Sequence, residues 1–304
     1  MACAQGSQAR LYVEPGSSPH TFDASSESYE FRYEKLIKTP TIKSTEGIRG
    51  TRQESKEQTR EGHYTVGGPL VLPTVSPLML DLWLPRIMGA AESTDTFAFA
   101  ETLPSFGVLI DRVTETYEYK DCYVNSAMFE GAAGPGNSLE LLTLTLDIWG
   151  LSRATGTSAP AVSIVTTATS GDPYKHSEAV FTINGTAREV KKWRLLIHNH
   201  LQRRWVNSQT ATAICPRAWS VILDAVLPYE TTQSGITALT AAGVAGTIAI
   251  TNSTVSTTFT FGTLEPVIPD PNVVGKTEID VMTRFIARKS GSTAALSINN
   301  DSAV

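Results

Sequence analysis

A segment near the middle of the chain alternates apolar and polar residues with a period of two. Its apolar positions are Leu142, Leu144, Leu146 and Ile148, and the polar positions between them are Thr143, Thr145 and Asp147. Successive side chains of a β-strand point to opposite faces, so this pattern is typical of a strand with one buried and one solvated face. Such a strand needs other strands to pair with, and this requirement constrains the fold most.

Further strand-like runs recur on both sides of this segment. They cover approximately residues 29–43, 63–72, 105–130, 179–198, 217–228, 246–261 and 276–288, and turns rich in Gly, Pro and Asn separate them. The pair Asn184-Gly185 between two of these runs predicts a β-hairpin. The predicted fold class is therefore all-β with short helices, a β-rich α+β fold.

Two short helices are predicted among the strands. In Pro77–Met88 the apolar residues recur at helical spacing, Ser76 precedes them as an N-cap, and Pro85 should end or kink the helix. A second short helix is predicted over Thr232–Val244.

The order of elements in the first part of the chain recurs in the second part. The predicted organisation is an N-terminal arm over 1–28, a first domain over 29–152 with a long loop over 44–62, a linker over 153–172, a second domain over 173–290 and a C-terminal tail over 291–304. The arm is rich in Gly, Ser and Pro without a period, so we expect it to be loose or ordered only by partners. The two domains are interpreted as diverged duplicates, although any two β-rich segments align coarsely.

The distribution of charge argues against a nucleic-acid-binding surface. Residues 1–152 contain 12 Lys and Arg against 20 Asp and Glu, and the remaining residues contain 13 against 10. A surface that binds nucleic acid would concentrate positive charge. The N-terminus does not resemble a secretion signal, and no stretch has the roughly 20 apolar residues of a membrane helix. We expect a soluble protein that is made in the cytoplasm and has no membrane partner.

No cluster of reactive side chains points to catalysis. On one strand His198 and His200 would share a face and could bind a metal, but no acidic residue or cysteine lies near enough in sequence to complete the ligand set. Cys3, Cys122 and Cys215 are in neither a metal-binding nor a disulfide spacing. The common catalytic and nucleotide-binding motifs are absent from the sequence. The sequence predicts no enzyme, no metal site and no cofactor.

Aromatic and basic residues are interleaved in residues 191–205. This composition is compatible with a platform for single-stranded nucleic acid. Alternation, however, places Trp193, Leu195 and Ile197 on one face and the basic residues on the other. A half-buried strand with a charged outer face is the preferred interpretation.

Several short phrases in a fixed order point to one family. They are Lys38-Thr39-Pro40, Gly47-Ile48-Arg49-Gly50-Thr51-Arg52, Val66-Gly67-Gly68-Pro69, Met88-Gly89-Ala90, Pro104-Ser105-Phe106, Tyr117 to Val124, Asp147-Ile148-Trp149-Gly150, Ile183-Asn184-Gly185 and Ile197-His198-Asn199. In this order they resemble the major tail tube proteins of long-tailed (siphovirus-type) bacteriophages, in particular the group of this chain length with a duplicated tube domain. The resemblance covers roughly residues 29–290.

The resemblance implies a virion structural protein that forms stacked rings around a DNA-conducting channel. Its two similar β-sandwich or barrel-like halves would join their sheets with those of neighbours into a closed inner β-barrel ring. Two halves per chain favour a trimeric ring with pseudo-sixfold symmetry, and a hexameric ring is the alternative. The implied partners are further copies of the chain, the tape measure protein and phage DNA inside the lumen, and the tail terminator and distal tail protein at the ends. Assembly in the bacterial host cytoplasm and a place in the virion tail follow.

The long polar loop is the predicted contact between stacked rings. Within Ser44–Gly62 basic and acidic residues are interspersed, and the predicted contact residues are Glu46, Arg49, Arg52, Glu54, Lys56, Glu57, Arg60 and Glu61. A single exposed ion pair contributes only about 0 to 1 kcal/mol, but a ring repeats each pair.

Two other classes of protein remain open at this stage. One is a different tail or tube component, such as a tail terminator, a baseplate hub or the inner tube of a contractile system. The other is a carbohydrate-binding β-sandwich module, for which we expect a monomer with exposed aromatic residues grouped on one face.

Overall fold

The computed structural model confirms a mostly β chain with one α-helix among the residues that it describes. These residues are 6–16, 18–23, 26–44, 59–73, 75–89, 95–134, 137, 139–160, 172–229, 243–252, 255–267 and 279–302. All strand pairings between them are antiparallel.

The elements follow one another along the chain as follows. In the first half they are β1 (Arg10–Pro15), β2 (Glu27–Tyr29), β3 (Tyr33–Glu34), β4 (Ile37–Ser44), β5 (Thr59–Leu72), α1 (Pro77–Met88), β6 (Thr96–Ala98), β7 (Phe106–Asp111), β8 (Thr116–Ala132), β9 (Thr143–Gly150) and β10 (Ser152–Thr155). In the second half they are β11 (Ala179–Ile183), β12 (Thr186–Arg188), β13 (Lys192–His198), β14 (Gln202–Arg204), β15 (Ala213–Cys215), β16 (Ser220–Pro228), β17 (Val244–Asn252), β18 (Val255–Val267), β19 (Asp280–Arg288) and β20 (Leu296–Asp301).

Eight strands form one continuous sheet that crosses both halves of the chain. Their order is β4-β5-β9-β8-β13-β16-β19-β18, with each strand hydrogen-bonded to the next. The pairing of β8 with β13 joins the two halves. We call these eight strands the central sheet.

Most of the remaining strands attach to the ends of β8 and β18, whereas β3 pairs with β5. The N-terminal part of β8 pairs with β7 and β10, and β7 continues through β1 to β2. The N-terminal part of β18 pairs with β17 and β20, which continue to β11 and β6. β14 and β15 form a separate two-stranded sheet. A closed barrel does not form within the described part of a single chain.

The helix α1 confirms the predicted start and contains the predicted proline. The backbone N–H of Met79 donates to the Ser76 hydroxyl at 3.4 Å, and Pro85 lies inside the helix rather than ending it. At the C-terminal end the N–H of Gly89 donates to the Pro85 carbonyl at 2.8 Å. Trp83 of this helix is fully buried against Phe106 with an edge-to-face contact. The second predicted helix lies outside the described residues except for its last positions, and Val244 begins β17 instead.

Both chain ends contribute strands to the fold. The expectation of a loose N-terminal arm is wrong for Arg10–Pro15, because β1 pairs with β7 on one side and β2 on the other, and Leu11 is fully buried. In the C-terminal tail, Leu296–Asp301 pairs with β18 and β6. In both cases a segment near a chain end pairs with the edge of another strand. The division into two tube domains stays a prediction.

The structure confirms the predicted hairpin turn at Asn184-Gly185 and changes the predicted ends of two strands. Asn184 and Gly185 both have positive φ, as a tight hairpin turn between β11 and β12 requires. β12 ends at Arg188, however, and the following β13 pairs with β8 and β16 instead. The strand-like run predicted over 105–130 is also extended, because β8 continues through Ala132. The described part of the chain contains no helix long and apolar enough to span a membrane.

Candidate assembly surfaces

One face of the central sheet packs into the core. Phe129, Leu195, Leu223 and Phe285 lie directly opposite one another on β8, β13, β16 and β19. All four are at most 1% exposed. We call these residues the buried row. The predicted alternation in residues 192–198 is thereby confirmed, with Trp193, Leu195 and Ile197 all buried.

The opposite face of the same strands has a row of charges one residue further along. Glu130, Arg194, Asp224 and Arg284 are cross-strand neighbours in this order, so acidic and basic side chains alternate. The Asp224 carboxylate accepts a hydrogen bond from Arg194 Nη2 at 2.6 Å and from Arg284 Nε at 2.7 Å. We call these four residues the charged row, and the face on which they lie the open face.

Asp224 is the buried member of the charged row. Its side chain is 8% exposed, whereas those of Arg194 and Arg284 are 40% and 50% exposed. Burial would raise the pKa of the Asp224 carboxyl, but the hydrogen bonds and positive charges of Arg284 and Arg194 outweigh burial and hold that pKa below its ordinary value. The carboxylate therefore stays ionised at neutral pH.

A row of apolar residues lies beside the charged row on the open face. Met128, Leu196, Ile222 and Ile286 are cross-strand neighbours on the same four strands, and each is half-buried. The open face is therefore mixed in character, with apolar and charged rows alternating. It is not the uniformly basic surface that typifies a nucleic-acid-binding protein.

The β4–β5 hairpin extends past the edge of the central sheet. Only residues 66–72 of β5 pair with β9, so among the described residues the part of β5 nearer the hairpin tip has β4 as its single strand partner. β4 is an edge strand, and its Ile42 is 74% exposed. An exposed edge strand can pair with another chain.

This hairpin supports the loop in which ring contacts were predicted. Of the predicted contact residues, Glu46, Arg49, Arg52, Glu54, Lys56 and Glu57 lie outside the described residues. Arg60 and Glu61 belong to β5 and are exposed. Glu61 lies 4.0 Å from the Lys38 ammonium group, and Arg60 is the cross-strand neighbour of Lys43. The structure brings the last two predicted residues together with two basic residues of β4.

A segment of the second half fastens this hairpin from its free side. The Tyr64 N–H donates to the Gln209 carbonyl at 3.1 Å, and Gln209 Nε2 donates to the Glu61 carbonyl at 3.0 Å. His63 Nδ1 lies 2.9 Å from the Ser208 carbonyl. The bonds to Tyr64 and Glu61 satisfy backbone groups of β5 beyond the end of β9. We call residues 202–215 the strap. The strap could not be predicted from the sequence, because no local pattern indicates contacts between segments this far apart.

Arg203 connects the strap to the central sheet. Its Nη2 donates to the Val66 carbonyl at 2.6 Å, and its guanidinium lies 3.9 Å from the centroid of the Trp149 ring. The Trp149 indole in turn donates to Asp147 at 3.1 Å. The phrase Asp147-Ile148-Trp149-Gly150 therefore has a structural role at the root of the hairpin.

Two glycines allow β5 to approach its neighbours closely. A Cβ atom on Gly67 would lie 2.2 Å from the Ile148 carbonyl oxygen, and one on Gly68 would lie 1.9 Å from that of Lys35. Both glycines have positive φ. Only glycine fits these two positions without moving the backbone.

The two candidate metal-binding histidines are close, but they are not on one strand face. β13 ends at His198, and His200 adopts a positive φ, with the two ring centroids 4.0 Å apart. Burial, and then the neighbouring His200, lower the pKa of His198. The described residues contain no group of three or more side chains that could hold a metal ion.

Asn199, which lies between these histidines, joins three elements. Its side-chain amide donates to the Ile87 carbonyl of α1 and to the Val124 carbonyl of β8, both at 2.9 Å. The phrase Ile197-His198-Asn199 therefore belongs to the framework. Of the cysteines, Cys122 is buried, Cys215 is exposed, and Cys3 lies outside the described residues.

The comparison with protein families gives a match over most of the chain. A family described as phage tail tube protein matches residues 6–298, which is nearly the whole chain. No curated protein matches the chain.

Proposed function

The chain belongs to the phage tail tube protein family, which is structural and not enzymatic, and we propose that it is the major subunit of the tail tube of a long-tailed bacteriophage. Membership implies self-assembly into a tube in the virion tail. In the proposed tube, rings of this chain stack helically around a channel through which the phage genome leaves the particle. The tape measure protein and DNA would occupy the lumen, and a tail terminator and a distal tail protein would close the ends.

The observation that supports this function best is the uncovered face of β8, β13, β16 and β19 within the central sheet. One face is covered by the core, and the other presents the charged and apolar rows. When such a sheet closes into a ring, the layer that packs against its covered face must lie either inside or outside the ring. The outside has the larger circumference and therefore more room for this layer. We therefore propose that the open face lines the channel.

Within the described part of the chain, both ends of the central sheet have free edges through which neighbouring chains could pair. At one end β4 has β5 as its single strand partner. At the other end, Glu265–Val267 of β18 continue past β17 and pair with β19 on one side, and Val267 is 54% exposed. We propose that these edges meet between subunits and close the barrel. Because each chain supplies one sheet spanning both halves, we favour a trimeric ring with pseudo-sixfold symmetry over a hexamer.

Electron microscopy of the purified protein tests this function. We expect long tubes of uniform width, and the averaged cross-section should show threefold symmetry with six similar units. A true sixfold ring would instead support the hexamer. Isolated discs would favour a tail terminator or baseplate hub, and a monomer that binds glycans would favour the carbohydrate-binding module.

A substitution on β4 tests ring closure directly. Ile42→Lys places a charge on the exposed edge strand, and we expect the subunit to fold while tubes fail to form. Val180→Lys is the matched control, because Val180 is also exposed but lies on β11, outside the central sheet. Equal tube formation by both variants would exclude β4 as a subunit contact.

A second substitution tests the predicted contact between rings. Replacing Arg49 and Arg52 by glutamate reverses two charges of the long loop, and we expect folded subunits that close into rings but do not stack. The double lysine replacement conserves the charge and should still stack. Tubes of normal length from the glutamate variant would refute the loop as the stacking contact.

A further inference from the structure

The open face contains arginines although the proposed function places DNA beside it. An arginine that is free to contact phosphate adds affinity and salt dependence, and a conduit through which DNA must slide requires neither. Arg194 and Arg284 are 40% and 50% exposed on this face. Something must therefore limit their contact with phosphate.

The geometry of the charged row supplies such a limit at Asp224. Its Oδ1 accepts from Arg284 Nε at 2.7 Å, and its Oδ2 accepts from Arg194 Nη2 at 2.6 Å and from Arg284 Nη2 at 3.2 Å. Both oxygens of the largely buried carboxylate are occupied by guanidinium groups that lie above it. Charge-assisted contacts of this kind, bidentate for Arg284, fix the orientation of the arginines as well as their charge.

Acidic and basic side chains are interspersed on the wider open face around this cluster. Its acidic side chains on β8, β16, β18 and β19 are Glu130, Asp224, Glu265 and Asp280, and its basic side chains on β13 and β19 are Lys192, Arg194, Arg284 and Arg288. Arg288 is paired with Glu265 at 3.2 Å. Loss of the Asp224 charge would make this face more positive and leave two arginines without their shared partner.

We propose that Asp224 prevents Arg194 and Arg284 from binding DNA phosphate, so that the channel wall does not adhere to a passing polyanion. The two arginines are then cross-strand ties between β13, β16 and β19 rather than DNA contacts. This inference rests on the proposed function, because it requires that the open face meets DNA.

Three variants test the inference with a short fluorescent duplex DNA as the probe. Asp224→Asn removes the charge at constant size. Glu34→Gln is the matched control, because Glu34 holds the half-exposed Arg112 in a bidentate contact at 2.8 and 2.9 Å outside the charged row. The triple variant Asp224→Asn, Arg194→Gln, Arg284→Gln removes the released arginines as well. Fluorescence anisotropy measures DNA binding to subunits and to tubes, and thermal unfolding confirms that each variant is folded.

The expected result is specific to the charged row. Asp224→Asn should gain two phosphate contacts, and its DNA binding should therefore depend more steeply on salt. When the salt concentration is raised from about 50 to 200 mM, its DNA affinity should fall about ten-fold more than that of the unmodified chain. Glu34→Gln and the triple variant should bind DNA as weakly as the unmodified chain. Unchanged DNA binding by folded Asp224→Asn, or equally tight binding by the triple variant, would overturn the inference.

Tube formation is scored separately by electron microscopy. Absence of tubes from the unmodified chain would overturn the proposed function, and with it the channel on which this inference rests. Normal tubes from the unmodified chain combined with unchanged DNA binding by Asp224→Asn would overturn the inference alone.

Discussion

The buried row and the charged row lie on the same four strands and differ by one residue in position. Phe129 and Leu195 belong to the first, and their sequence neighbours Glu130 and Arg194 belong to the second. The buried row fixes the register of the strands, because a slip of one residue would place charges in the core. The charged row is aligned by the same register. Stability thus depends on one face of the central sheet, and the surface proposed to line the channel depends on the other.

Adjacent leucines of β13 allow the two faces to be compared within one strand. Leu195→Ala removes a fully buried side chain of the core and should lower the free energy of unfolding by about 2–5 kcal/mol. Leu196→Ala removes a half-buried side chain of the open face and should lower it by about 1 kcal/mol. Chemical denaturation measures both. Equal losses would show that the open face is covered in the folded chain.

A substitution in β5 tests whether the close approach of neighbouring backbones contributes to stability. Gly68→Ala places a methyl group against the Lys35 carbonyl, and separation of the backbones should lower the free energy of unfolding by about 1–3 kcal/mol. Gly134→Ala is the control, because Gly134 also has positive φ but has no atom within 4 Å of the added Cβ. If the two variants give the same denaturation curves, the loss of unfolding free energy comes from the positive φ of the glycine and not from its close approach to the Lys35 carbonyl.

The charged row should contribute a smaller and pH-dependent part of the stability. Asp224→Asn should lower the free energy of unfolding at neutral pH by about 1–3 kcal/mol, the usual range for hydrogen bonds to charged groups. Because the folded-state pKa of Asp224 lies below its ordinary value of 3.8, this contribution is complete above that value and is lost as the pH falls through the lowered pKa. Unfolding of both proteins from neutral pH into acid should give curves that converge. A constant difference would contradict the ionised state of Asp224.

The sequence predicted what local patterns determine. Alternation predicted the buried faces of β9 and β13, the Ser76 cap predicted the start of α1, and Asn184-Gly185 predicted the turn between β11 and β12. Each of these features depends on side chains within a few residues of one another. The family was also predicted from ordered short phrases, and the comparison with families confirms it.

The charged row could not be predicted, because alternation determines the face of a residue but not its cross-strand neighbour. Arg194 and Arg284 are 30 and 60 residues from Asp224, and a register shifted by two residues would preserve every pattern in the sequence while separating them. Arg10–Pro15 was missed because it is short and is a strand only through the free edge of β7.

The smallest expected effect is at the exposed end of the open face. Met282 is 58% exposed on β19, next to Val226 on β16, and contributes little to the core. Met282→Thr should therefore change the free energy of unfolding by no more than about 0.5 kcal/mol. Phe285→Ala, on the buried face of the same strand, should lower it by about 3–5 kcal/mol. Chemical denaturation of both variants measures the two changes. A small change at Met282 means that the fold does not require this side chain, which can then serve contacts in the assembled tube. A large loss of unfolding free energy at Met282 would show that it belongs to the core.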